Sequence, residues 1–482
     1  MTNISRRQFG KVAATTTALA GVALPEFSHA QPKPQMSEND RQFPPNFVWG
    51  CATASYQIEG GVHEGGRGAS IWDIFSHTPG KIANGDTGDV AGNSYHLYKE
   101  DVRLLKNLGV SAYRFSIAWP RVFPNGTGQP NAAGLDYYKR VLDTLQADNI
   151  TPYVTLFHWD LPAALAGGWQ SRDTAQAFAD YAGYVARQLS DRVHHFITVN
   201  EFSSFTDLGY KLGVYAPGLK LPPAELNQVR HNALLAHGLG VEAIRTNAPN
   251  AQVGVADNPT VFAPVIEDRA NIEAAHRATR EENAPFLTAV LEGVYTESYL
   301  EREGSAAPRV EPGDMKAIGS PLDFVGLNVY TPAYVRADDS PRGYAIVPYP
   351  SSYPHMESAW IRLGPECTYW TVRNVCELWN PKAVYITENG CSSADVPTPE
   401  GRIEDIDRVM YLRNHLAQLQ RAAAEGYPLK GYFVWSLLDN FEWADGYSKR
   451  FGIHYVDYKT EHRTPKLSAE WYREAVARNS VV

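Results

Sequence analysis

The sequence predicts an α/β fold, a single (β/α)8 barrel with enlarged loops on one face, and three observations carry that prediction. Eight short apolar runs rich in β-branched and aromatic residues alternate with longer stretches of helical periodicity. Such alternation calls for parallel strands joined by right-handed crossovers. No Pro-, Gly- or Ser-rich linker divides the 482 residues into two cores. Finally, most of the apolar runs end on residues that hydrogen-bond or ionise, as the C-terminal rim of a functional barrel requires.

The predicted strands are 47–54, 112–119, 151–159, 194–201, 251–258, 322–330, 383–390 and 431–440, with helices at 95–108, 134–149, 174–189, 224–248, 369–378 and 406–425. The second strand carries Arg114, the third ends His158-Trp159-Asp160, and the fourth ends Asn200-Glu201. The sixth ends Asn328-Val329-Tyr330. The seventh is the clearest: Val384, Tyr385, Ile386 and Thr387 lead into Glu388, and Asn389-Gly390 breaks the run because both residues tolerate positive φ. Glu388 therefore sits at a strand tip. The eighth runs through Trp435 to Asp439 and Asn440, with Glu442 and Trp443 just beyond. Segments 259–321 and 331–366 read as loop elaborations at the same face.

Composition narrows the function classes. The chain is 12% aromatic, with 11 Trp and 27 Tyr, a supply that suits both core filling and stacking on sugars. A net charge of −9 argues against a nucleic-acid backbone as partner. Arg6 and Arg7 precede a mildly apolar stretch at 12–24, and Ser28-His29-Ala30 offers a cleavage site, so residues 1–30 read as a twin-arginine signal peptide. The stretch is too short and Thr-rich for a permanent membrane span. The expected plan is a signal at 1–30, an extension at 31–42 and the barrel at 43–482, exported by the twin-arginine machinery to the periplasm or beyond. Without 1–30 the net charge is −11.

Cys51, Cys367, Cys376 and Cys391 match neither a zinc pattern nor a CxxC motif, and buried free thiols are expected. There is no GxSxG elbow, HExxH helix or phosphate-cradling glycine loop. Neither a metal nor a cofactor is expected.

Two glutamates at strand ends, walled by Trp, Tyr, Asn, Gln and His, match what cleavage of a glycosidic bond requires. One carboxylate attacks or stabilises the anomeric carbon and the other protonates the leaving oxygen. Glu388, sharing its surroundings with Arg114 and Tyr330, suits a nucleophile kept ionised. Glu201 follows a hydrophobic strand and precedes Phe202, surroundings that hold a carboxyl protonated. Such a pair serves more than one sugar and either stereochemical outcome.

Several longer motifs add a resemblance. Residues 47–60 (FVWGCATASYQIEG), 113–116 (YRFS), 157–162 (FHWDLP), 198–201 (TVNE), 386–390 (ITENG) and 435–443 (WSLLDNFEW) resemble, in order, the signatures of family-1 glycoside hydrolases, the β-glucosidase family. The resemblance implies a retaining two-step mechanism on a small-molecule glycoside, with Glu388 as nucleophile, Glu201 as acid/base and carboxyls roughly 5 to 5.5 Å apart. It implies that Arg114, Asn328 and Tyr330 support the reacting pair. It also implies that Gln57, His158, Asn200, Glu442 and Trp443 hold sugar hydroxyls over a Trp435 floor, with Trp159, Trp360 and Phe451 completing the substrate site. Glu442 implies an unphosphorylated sugar, since a carboxylate there repels phosphate. The same intermediate can be captured by an acceptor alcohol, so transglycosylation is the rival outcome. A non-catalytic sugar-binding barrel is disfavoured by retention of both glutamates. Two departures stand out: Phe202 replaces the usual Pro after the acid/base, and the pattern around Trp360 is broken. Both are expected to affect the leaving-group side and to favour a bulky or hydrophobic aglycone.

Overall fold

A computed structural model describes residues 42–482; the signal read at 1–30 and nearly all of the extension lie outside the described residues. Eight strands run β1 (Val48–Ala52), β2 (Ala112–Ser116), β3 (Thr151–Phe157), β4 (His195–Asn200), β5 (Gln252–Asp257), β6 (Phe324–Asn328), β7 (Val384–Asn389) and β8 (Leu429–Trp435). Each pairs in parallel with its sequence neighbours, and β8 pairs with β1 to close the barrel. The fold is the predicted (β/α)8 barrel.

One long helix follows each strand: α1 (Ser94–Leu108), α2 (Ala132–Ala147), α3 (Asp173–Leu189), α4 (Pro223–Asn247), α5 (Arg269–Glu282), α6 (Glu366–Trp379), α7 (Ile406–Ala424) and α8 (Leu467–Arg478). Apolar spacing explains most of them. In α7, Val409, Leu412, Leu416 and Leu419 recur every three or four residues and all are buried. Helix α1 buries Val102, Leu105 and Leu108 and stops at Gly109, whose φ of 73° suits glycine.

Helices α5 and α8 carry no such apolar spacing. Helix α5 buries only Ala274, Ala275, Ala278 and Thr279, and α8 buries Ser468, Ala469, Tyr472 and Ala475. Small residues pack against a neighbour without producing a visible apolar stripe. Segments 259–321 and 331–366 are also more regular than loops: Phe262–Pro264 pairs with Ala333–Ala337, which pairs in turn with Tyr344–Val347. The eighth strand is shorter than expected, ending at Trp435, and 436–440 forms the rim.

Aromatic rings fill the lower barrel. Tyr153 lies 5.0 Å from Phe433 and 5.5 Å from Tyr385 between ring centroids, and Phe324 lies 5.4 Å from Tyr385. Glycine makes room for them, since a Cβ on Gly50 would come within 2.4 Å of the Phe433 ring. This plug leaves the C-terminal end as the place where a ligand can enter.

Behind the rim, Lys466 Nζ donates to Asp395 at 2.6 Å and Asp439 at 2.7 Å, all three fully buried. Arg408 joins Asp395 and Asp405 to the same network, and Arg450 pairs with Asp439 at 2.6 Å. These charges tie the segments after β7 and β8 to α8. All four cysteines are buried and free. Among the described residues, no helix is long and apolar enough to cross a membrane.

Candidate active site

The two strands that deliver the carboxyls are irregular at their upper ends. Tyr385 points into the barrel, so on a regular strand Glu388, three residues later, would face the opposite side. The β7 ladder shifts register against both neighbours between Ile386 and Asn389, and the shift turns Glu388 inward. On β4, Thr198 bonds His237 of the outer helix α4 at 2.6 Å, which by alternation would also send Asn200 outward. A register shift between Ile197 and Asn200 brings that amide to the barrel axis instead. Glu201 follows with φ 54°, a left-handed conformation that costs a non-glycine residue about 1 to 3 kcal/mol. Trp159 and Trp443 share that conformation at φ 79° and 48°.

These side chains meet at a cavity of about 420 Å3 above the aromatic plug. Of the sequence-predicted residues, His158, Trp159, Glu201, Tyr330, Trp360, Glu388, Trp435, Glu442, Trp443 and Phe451 line it. Gln57, Arg114, Asn200 and Asn328 lie in the layer behind the wall. Sequence reasoning missed Ser204, Leu208, Tyr215, Asn258 and Asp445, which also line it. Only Asn258, ending a predicted strand, carried a usable signal. Phe202 does not reach the cavity. It is buried, stacking on Phe286 at 6.4 Å.

Arg114 organises the layer behind the wall. Its guanidinium donates to Glu388 Oε1 at 2.6 Å, to the Thr387 carbonyl at 3.0 Å, to Thr155 Oγ1 at 3.2 Å and to Asn200 Oδ1. Tyr330 donates to the other Glu388 oxygen at 2.7 Å. Asn328 Nδ2 bridges Asn200 Oδ1 at 3.0 Å and Glu201 Oε1 at 2.8 Å. The two carboxyls thus belong to one hydrogen-bonded set.

Their electrostatics differ. Burial and the nearby Glu388 charge push Glu201 up to about 8. Glu388 is also raised by burial, and its donors oppose that rise. Arg114, Tyr330 and Asn328 all pull it back toward ionisation. Glu442 is pushed up to about 8 by burial and by Asp445, Glu388 and Glu201.

The wall is aromatic with polar gaps. His158 stacks toward Trp435 at 5.7 Å, and Trp159 lies 4.5 Å from Trp443. Burial holds His158 neutral, and its Nε2 accepts from Asn200 at 3.1 Å, which places the proton on Nδ1. That Nδ1 and Gln57 Oε1 are buried without a protein partner. An unmatched buried polar atom costs about 1 to 3 kcal/mol, a cost that a ligand hydroxyl removes. Trp360, 52% exposed, stands at the mouth 5.4 Å from Tyr330 and 6.5 Å from Phe451.

Paired carboxyls of unequal acidity in an aromatic, hydroxyl-matching hollow at a barrel's C-terminal rim define a glycoside hydrolase. The chain belongs to glycosyl hydrolase family 1, whose family model matches residues 39–481. It is 45% identical over 445 residues to a 1,4-beta-D-glucan glucohydrolase of Thermotoga neapolitana, covering 92% of this chain and 99% of that one. It is also 45% identical over 447 residues to beta-glucosidase A of Thermotoga maritima, again covering 92% and 99%. A solved structure of the Thermotoga maritima beta-glucosidase in complex with castanospermine superposes with a TM-score of 0.84 at 44% identity, covering 92% of this chain and 100% of that one.

The geometry around Glu388 sets a pH prediction. Tyr330 stabilises the ionised form, so Tyr330→Phe raises the Glu388 titration and moves the acid limb of the pH–activity profile to higher pH by roughly half a unit to one unit. An acid limb that stays in place contradicts the assignment of this contact.

Proposed function

We propose that the protein is a retaining, exo-acting β-glucosidase that hydrolyses unphosphorylated β-D-glucosides, with Glu388 as nucleophile and Glu201 as acid/base. One observation carries the reading: the two carboxyls share a cavity, one clamped by Arg114 and Tyr330, the other kept protonated by its surroundings. Glu388 attacks the anomeric carbon while Glu201 gives its proton to the departing oxygen, leaving the sugar esterified to Glu388. Esterification removes the Glu388 charge that had raised Glu201, so Glu201 becomes more acidic and is left ionised. It then takes a proton from the water that attacks the glycosyl ester, and the sugar leaves with its configuration retained.

The polar wall supports the substrate class. Gln57 and His158 hold the unmatched atoms that suit hydroxyls, and Gln57 Nε2 donates to Glu442 at 3.2 Å. The resemblance gives Asn200, here braced by Arg114 and Asn328, a contact with the sugar 2-hydroxyl that strengthens as charge develops. Trp435, Trp443 and Trp159 supply flat faces for a pyranose. Four carboxyl side chains and no lysine or arginine line the cavity, so a phosphorylated sugar meets no counter-charge.

The proposal extends to location. Arg6-Arg7, the apolar stretch at 12–24 and Ser28-His29-Ala30 support export of the folded protein by the twin-arginine machinery, with residues 1–30 removed.

Two measurements test these readings. Glu201→Gln cuts kcat/KM about 100-fold or more on alkyl glucosides but far less on dinitrophenyl glucoside, which needs no proton delivered; equal losses on both overturn the role. N-terminal sequencing of exported protein gives an end near residue 31, and an intact Met1 on exported protein contradicts cleavage.

A further inference from the structure

The acid/base carboxyl is held from a side that the resemblance does not cover. Immediately after Glu201, the chain enters a π-helical turn at Ser204–Lys211, which places Ser204 beside the carboxyl it follows by three residues. Ser204 Oγ donates to Glu201 Oε2 at 2.7 Å. Asn258 Nδ2 donates to Ser204 Oγ at 2.9 Å, and Ser203 Oγ donates to Asn258 Oδ1 at 2.9 Å. The three side chains form a directed chain ending on one oxygen of Glu201.

The other oxygen has a different partner. Glu201 Oε1 accepts from Asn328 Nδ2, and Asn328 Oδ1 is occupied by Thr387 Oγ1 at 2.7 Å, so flipping the amide would break both bonds. An amide nitrogen only donates, which obliges Oε1 to remain an acceptor. A hydroxyl both donates and accepts, so Oε2 can carry a proton while one of its lone pairs keeps the bond from Ser204. Ser204 lines the cavity and Asn328 does not, which puts Oε2 on the substrate side.

We propose that Ser204, braced by Asn258 and Ser203, is a positioning residue for the Glu201 carboxyl and selects Oε2 as the oxygen that delivers and recovers the catalytic proton. The inference rests on Glu201 being the acid/base. It also gives Phe202 a role. The buried Phe202 ring anchors the turn, and its backbone N–H donates to Asp257 Oδ1 at 3.1 Å, so the end of β5 sets the height of Ser203 and Ser204. The titratable groups around Glu201 are Glu388, Asp257, Glu442, Tyr215 and Tyr330. Glu388 and Asp257 raise its pKa, whereas the bond from Ser204 lowers it.

Ser204→Ala, Ser204→Thr and Asn258→Ala, each checked by circular dichroism, test the proposal. Ser204→Ala is expected to reduce kcat/KM about tenfold on an alkyl β-glucoside and no more than about twofold on dinitrophenyl β-glucoside. Because the lost bond stabilised the ionised form, the basic limb of the kcat/KM profile moves to higher pH. Asn258→Ala gives the same pattern more weakly, and Ser204→Thr restores both readouts. Equal losses on the two substrates, an unmoved basic limb, or a threonine variant no better than alanine overturn it. If Glu201→Gln discriminates between the substrates while Ser204→Ala does not, this inference fails alone; if Glu201→Gln does not discriminate either, the acid/base assignment fails with it.

Discussion

A guanidinium taken out of water must find partners, and Arg114 finds all of its partners inside the barrel. It reaches Thr155 on β3, Asn200 on β4, and Thr387 and Glu388 on β7. Breaking a buried pair of this kind costs about 3 to 5 kcal/mol, so the positions of these strand ends are tied to one charge. Asn200 then passes the constraint through Asn328 to Glu201. The two cavity carboxyls are held in register by a desolvated cation that does not line the cavity.

The backbone is distorted where this set is assembled. Ladder shifts on β4 and β7 turn Asn200 and Glu388 inward, and Glu201, Trp159 and Trp443 adopt left-handed conformations at the rim. Such conformations persist where surrounding contacts over-determine them. Here the aromatic plug below and the buried network of Lys466, Asp395, Asp439 and Arg408 behind supply that support. Rigid surroundings keep the donors aimed at the two glutamates.

Much of this was legible in the chain. The eight strands announce themselves by apolar runs, and polar residues within or at the ends of them nominate Arg114, His158, Glu201, Tyr330 and Glu388 before any contact is known. What escaped has physical reasons. Apart from Tyr472, helices α5 and α8 bury only alanine, serine and threonine, which leave no periodic apolar signal. Ser204 lies beyond the strand tip in a π-helical turn that local propensity does not encode, and Tyr215 and Asp445 reach the cavity through loops. The left-handed turn at Glu201, which sends the adjoining Phe202 ring into the core, is likewise not written in local sequence. The burial that opposes the donors of Glu388 was not legible either, because it depends on neighbours brought in by other strands.

The most direct test of the account is to trap the glycosyl-enzyme with a 2-deoxy-2-fluoro β-glucoside carrying an activated leaving group, then locate the added mass by peptide sequencing. The account predicts a single fluoroglucosyl adduct on Glu388. An adduct on any other residue, or rapid turnover to the inverted sugar with none formed, would contradict it.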